Sequence, residues 1–119
     1  MGIIGIGGVF IRPQEQEALV RWYRENLGIP TDDWGHQFEW NSYPSMNKYS
    51  IFSIFASDTN YIAKNKTFMI NFMVDDLIKM REDLIIKGIP IIKYEENEYG
   101  QFIWIEDPEQ NKIELWQPA

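Results

Sequence analysis

Near the C-terminus, Lys112-Ile113-Glu114-Leu115-Trp116 sets a carboxylate inside an alternating apolar run. Residues two apart on a strand share a face. Ile113 and Leu115 therefore take one side, and Lys112, Glu114 and Trp116 the other. A carboxylate held beside a large aromatic can accept hydrogen bonds, ligate a metal ion or move a proton. Glu114 is thus the leading candidate for chemistry. The single histidine, His36, follows Gly35 and reads as a surface or loop residue, with metal-ligand and general-base roles as the alternatives. The chain has no cysteine, which excludes disulfides, thiolate metal sites and thiol nucleophiles.

Aromatic side chains are the second resource. Trp34, Phe38, Trp40, Tyr49, Phe52, Phe55, Phe72, Phe102, Trp104 and Trp116 are too many for one core or one pocket. Alternation sends one set under the helices and another toward a cleft. Asn71 places an amide in the otherwise apolar run Thr67 to Val74. Glu39, Phe52, Asn71, Trp104 and Trp116 form the candidate ligand-binding set, suited to a flat or amphipathic small molecule.

These residues need elements to position them. Gln101 to Ile105 and Lys112 to Trp116 read as a hairpin around Asp107-Pro108-Glu109-Gln110-Asn111, where Pro fixes φ and Asp and Asn bond local backbone. Gln14 to Leu27 is helical, with Leu19, Tyr23 and Leu27 four apart and Gly28 as its stop. A second helix starts from Asp75 or Asp76, buries Leu77, Met80, Leu84 and Ile85, and ends at Gly88. Further strands are expected at Ile6 to Ile11, Gln37 to Trp40, Lys48 to Ala56, Thr67 to Val74 and Ile89 to Tyr94. Ser57 to Lys66 reads as a connector with at most one short strand, and Glu95 to Glu98 as an acidic turn. Leu27-Gly28-Ile29-Pro30 and Lys87-Gly88-Ile89-Pro90 close the two helices with similar words, which points to a duplicated strand-helix-strands unit.

Composition narrows the function classes. At 119 residues the chain suits one domain. Its net charge of -7, without a basic stripe, disfavours nucleic acid and suits a cationic guest. No apolar run is long enough to span a membrane, and Met1 leads into an apolar segment without a basic leader. A cytoplasmic location is the expectation. Gly5-Ile6-Gly7-Gly8 lacks the G-x-G-x-x-G spacing of a dinucleotide loop, and Pro13 falls where the phosphate-binding helix would run.

Three stretches, in order, carry a family resemblance: Trp22-Tyr23-Arg24-Glu25-Asn26-Leu27-Gly28, Phe72-Met73-Val74-Asp75-Asp76-Leu77, and Asp107-Pro108-Glu109-Gln110-Asn111-Lys112-Ile113-Glu114-Leu115-Trp116. Together they resemble the vicinal oxygen chelate superfamily of glyoxalases, bleomycin-resistance proteins and extradiol dioxygenases. Within it, the chain looks most like the small glyoxalase-like or bleomycin-resistance-like proteins. The resemblance implies an α+β fold in a single domain of residues 1–119. Two βαβββ modules, 3–63 and 67–118, would form curved mixed sheets around a shared cleft, with helices outside. Metal-dependent members take a ligand, often histidine, from the first strand of each module, and a glutamate from the last strand. Here the first-strand places hold Gly8 and Met69, while Glu114 matches the glutamate. The first module's acid has no confident match, and Tyr61 is nearest.

The resulting expectation is a small-molecule-binding or glyoxalase-like protein with an aromatic-lined cavity and a degenerate metal site. No cofactor or metal is expected, with Glu114 as the ligand if any is bound and as the candidate catalytic group if a reaction occurs. A homodimer is compatible with this reading. The alternatives are a metal-dependent lyase, isomerase or dioxygenase using a divalent ion, and a structural dimerisation module without a ligand.

Overall fold

The computed structural model describes residues 9, 11, 13–33, 35–38, 56 and 58–119. Its framework is the C-terminal hairpin. Asp107 supplies the turn chemistry: its backbone N–H donates to Asn111 O (3.0 Å) and its carbonyl accepts from Gln110 N (3.0 Å). Gln110 takes a positive φ of 61°. Strands Gly100–Glu106 (β3) and Lys112–Pro118 (β4) then pair antiparallel. Ile70–Met73 (β1) runs parallel to β4, and Lys93–Asn97 (β2) antiparallel to β3. The four-stranded mixed sheet has the order β1-β4-β3-β2.

The register separates the faces. One side carries Ile103, Ile105, Ile113 and Leu115, all essentially without solvent contact. Two helices cover it: Gln16–Leu27 (α1) through Leu19, Tyr23 and Leu27, and Leu77–Ile86 (α2) through Leu77 and Leu84. The α2 element begins at Asp76, whose carboxylate accepts from Lys79 N (3.1 Å), a side-chain N-cap. Leu77 N also donates to Gln117 Oε1 of β4 (2.8 Å). The α1 element has no side-chain cap of its own. Instead the hairpin's Glu109 accepts from Gln14 N (2.9 and 3.0 Å) and Glu15 N (3.1 Å). A carboxylate at this end of the helix satisfies free N–H groups and complements the helix dipole. Both helices stop alike. Gly28 and Gly88 adopt φ of 69° and 75°, and Ile29 N and Ile89 N bond back to Tyr23 O and Leu84 O.

Several boundaries differ from expectation. The Thr67 to Val74 strand contracts to Ile70–Met73. The strand expected at Ile89 to Tyr94 lies at Lys93–Asn97, so most of the expected acidic turn is β2, and the turn itself is Glu98-Tyr99. Apolar character misled here: Ile89 and Ile91 pack onto the core as the chain leaves α2, while the ladder position is set by pairing with β3. A polar β2 also suits a sheet edge. Ile85 is 60% exposed rather than buried, because each residue turns 100° around the helix from its neighbour and the buried line runs through Leu84. Gln37 and Phe38 are not in a strand. The remainder of that element, most of the expected strand at Ile6 to Ile11 and nearly all of Lys48 to Ala56 lie outside the described residues. Among the described residues no helix is long and apolar enough to cross a membrane.

Candidate functional site

Asp107 and Glu114 are the buried acids among the described residues, at 4% and 7% exposure. Their surroundings separate their roles. Asp107 Oδ1 accepts from Glu109 N (2.8 Å) and Asn111 N (2.9 Å), and Oδ2 from Asn111 Nδ2 and Tyr23 OH (both 2.8 Å). A carboxylate has about four acceptor sites. Asp107 is therefore saturated, and its work is to close the turn and tie α1 to the hairpin. Burial, with the Asp107 charge and hydrogen bond, pushes the Tyr23 hydroxyl well above the usual phenol range.

Glu114 lies on the face away from the helices, held by side chains from separate parts of the chain. Asn71 Nδ2 donates to Oε1 (2.8 Å); Trp104 Nε1 (2.9 Å) and the Tyr61 hydroxyl donate to Oε2. Cross-strand register explains two of the three. Asn71 on β1 and Trp104 on β3 sit directly opposite Glu114, and Lys93 on β2 opposite Trp104. Lys93, Trp104, Glu114 and Asn71 thus form one row across the sheet. Tyr61 arrives from residues 58–66, which form neither helix nor strand. Lys112 Nζ donates to Tyr61 O (2.8 Å) and lies 4.9 Å from the Tyr61 ring centroid. All three donors to Glu114 are neutral groups: a phenol, an amide and an indole. Burial and then the Glu114 bond push the Tyr61 hydroxyl well above its ordinary range, so it keeps its proton and donates.

An aromatic row flanks the carboxylate. Phe102 stacks on Trp104 (5.8 Å, 13°) and on Trp116 (6.1 Å, 8°), while Tyr61 meets Trp104 edge-on (5.8 Å, 90°). Lys93 Nζ lies 5.8 Å from the Trp104 ring and 3.6 Å from Glu95 Oε1, so its charge is paired, while Lys112 lies over the Tyr61 ring.

The structure therefore joins Asn71, Trp104 and Glu114. Trp116 shares their face but aims its indole N–H at Tyr99 O (2.8 Å). Glu39 and Phe52 lie outside the described residues, as does Gly8. His36 is exposed and rests edge-on against Phe38 (5.0 Å, 89°). The β1 residue directly opposite Glu114 is Asn71, two residues beyond Met69. Tyr61, noted in the sequence only as the nearest match to a missing acid, is a direct partner of the carboxylate.

The sequence resemblance implies a metal-ligating glutamate at Glu114, so its donor set can be tested for a divalent ion. Its oxygens already accept from an amide, an indole and a phenol. Hard cations need several oxygen or imidazole donors. Among the described residues no group of three His, Asp or Glu side chains is placed to hold one. The described residues around Glu114 do not fit a divalent ion.

No protein-family model matches the chain, and no curated protein matches it in sequence. Solved structures do match its fold. A virulence protein from Salmonella typhimurium superposes with a TM-score of 0.61 at 19% identity, covering 100% of both chains. A glyoxylase/bleomycin resistance protein/dioxygenase domain from Frankia sp. gives 0.59 at 14% identity, over 99% of this chain and 94% of that one. A lactoylglutathione lyase from Agrobacterium tumefaciens gives 0.54 at 13% identity, over 94% of each.

Proposed function

We propose that this chain, which has the α+β fold of the vicinal oxygen chelate proteins, is a small-molecule-binding protein whose site is the Glu114 cluster. Glu114 acts there as hydrogen-bond or proton acceptor without a divalent ion. The observation that supports this reading is the set of three neutral donors converging on one buried carboxylate. Such a group offers acceptor lone pairs to a ligand. Trp104 and Phe102 supply flat apolar area beside it. The Tyr61–Glu114 bond can run in either direction, because a protonated Glu114 could donate to the phenol oxygen. The pair can therefore accommodate a proton gained from a ligand.

A small-molecule library screened by thermal shift against the wild type and Glu114→Gln tests this reading. Ligands that stabilise the wild type and lose their effect in the variant support it. If every ligand binds both proteins alike, Glu114 has no part in binding. Calorimetric titration with Mg²⁺, Mn²⁺, Ni²⁺ and Zn²⁺ tests the metal-dependent alternative. Stoichiometric binding of one ion, abolished by Glu114→Gln, would replace the metal-free reading.

A further inference from the structure

We infer that β2 pairs with the β2 of a second copy of this chain, antiparallel about a two-fold axis at Tyr94, joining the two four-stranded sheets edge to edge. β2 is the last strand of its sheet, and all five of its residues are exposed. The two-residue turn Glu98-Tyr99 makes Asn97 and Gly100 the hydrogen-bonded pair that closes the hairpin. Bonded and non-bonded pairs alternate along an antiparallel ladder, so Glu95 and Lys93 also turn their backbone N–H and C=O toward β3. Tyr94 and Glu96 turn theirs outward, to the open edge. Such an edge is a template for another strand.

Charge selects the occupant and the register. Charged side chains on an edge strand commonly keep copies apart. On β2 they alternate in sign along one face: Lys93 and Glu95 are exposed and bridge within the strand at 3.6 Å. A two-fold antiparallel pair centres on one residue, because opposed residues share a face. Of the four centres from Lys93 to Glu96, those at Lys93, Glu95 and Glu96 each set a charge opposite itself. The centre at Tyr94 sets Lys93 opposite Glu95 of the second copy, twice by symmetry. The two bridges then merge into one network in which every charge has opposite neighbours. The helix layer agrees. Ile78, Arg81 and Ile85 lie on one side of α2, with Ile78 and Ile85 59% and 60% exposed. Arg81 and Ile85 line a groove with Tyr94, the Arg81 guanidinium carbon 5.3 Å from the Tyr94 ring centroid. This side of α2 therefore overhangs the edge strand, and edge pairing brings it toward its own counterpart, a self-complementary contact that removes apolar surface from water.

Sedimentation equilibrium of the full chain measures the association, expected in the micromolar to millimolar range for a small interface. Lys93→Glu and Glu95→Lys each set like charges opposite and should weaken it about tenfold. The double exchange Lys93→Glu/Glu95→Lys restores opposite signs and should bring it back to near the wild-type value. Both positions are exposed, and circular dichroism checks that each variant keeps its fold. Cysteine reads the register, since the chain has none of its own. Bonded partners in an antiparallel pair have Cα atoms about 5.5 Å apart, within disulfide reach. Tyr94→Cys should therefore form a covalent dimer under mild oxidation, and Glu96→Cys should not. A wild type that stays monomeric to millimolar concentration overturns the inference. So does a dimer indifferent to the single reversals, a reversal that the double exchange fails to rescue, or the absence of cross-linking at position 94.

Discussion

Replacing Glu114 by Gln or by Ala should give two different answers, and the hydrogen-bond geometry says why. Oε2 faces Trp104 Nε1, which can only donate, and the Tyr61 hydroxyl; Oε1 faces the Asn71 amide. A glutamine at 114 therefore has one good orientation, with its oxygen toward Trp104 and Tyr61 and its NH2 toward Asn71. Asn71 can flip its amide to accept. All three contacts survive, weakened by loss of the charge and partly offset by no longer burying it, a net cost of about 1–2 kcal/mol. Alanine leaves the Trp104 N–H buried without a partner and opens a cavity, while Asn71 and Tyr61 can turn to water. The expected cost is about 2–4 kcal/mol. For a chain of 119 residues that corresponds to a fall in Tm of roughly 8–16 °C. Urea unfolding followed by tryptophan fluorescence measures both costs. The Trp104 indole N–H resonance reports the contact directly, moving little in Glu114→Gln and far in Glu114→Ala. If Ala costs no more than Gln, or the resonance stays put in Ala, the three-donor account of this carboxylate is wrong.

Asp107→Ala strands backbone N–H groups of Glu109 and Asn111 together with the Tyr23 hydroxyl, and should cost about 3–5 kcal/mol. A double-mutant cycle with Tyr23→Phe should return a coupling of about 1–2 kcal/mol, against zero if the contact is incidental. The raised Tyr23 pKa fixes an alkaline limb. Unfolded Tyr23 loses its proton above about pH 10 while the folded residue keeps it, so stability is whole below that pH and falls above it by up to about 1.4 kcal/mol per unit. Urea midpoints from pH 8 to 11 should show this fall flattened in Tyr23→Phe, and an unchanged slope would refute it. Glu109→Gln weakens the carboxylate at the start of α1. Amide exchange at residues 14 and 15 should speed up about fivefold, matching about 1 kcal/mol, with β3 unaffected.

What could be read ahead follows from where information sits in a chain. The hairpin, both helix stops and the partition of β4 were legible because each rests on local spacing: Pro and Asn in a turn, Gly at a helix end, period two around Glu114. The shift of β2 was not, since Lys93–Asn97 is placed by pairing with β3 and carries no apolar signal. The cluster was half legible. Asn71 stood out as an amide among apolar neighbours and Trp104 as an alternate-face aromatic. Their meeting on Glu114 needed a register between strands 43 and 10 residues apart. Tyr61 was the least visible partner, because nothing local in a polar connector indicates which sheet position its ring will reach.

The carboxylate of Glu109 at the start of α1 has a consequence for how the chain is made. Donor and acceptor are 95 residues apart, so synthesis at about 5–20 residues per second separates their appearance by roughly 5–20 s. During that interval α1 has neither its external cap nor the Ile and Leu face it packs on. Twelve residues alone form only a marginal helix. The α2 element waits in the same way for Gln117. The helices therefore leave the ribosome as transient turns, and the last stretch of chain consolidates them together. Nascent chains arrested before the hairpin emerges should be digested by protease throughout α1, and protection should arrive in a single step once residue 118 is free.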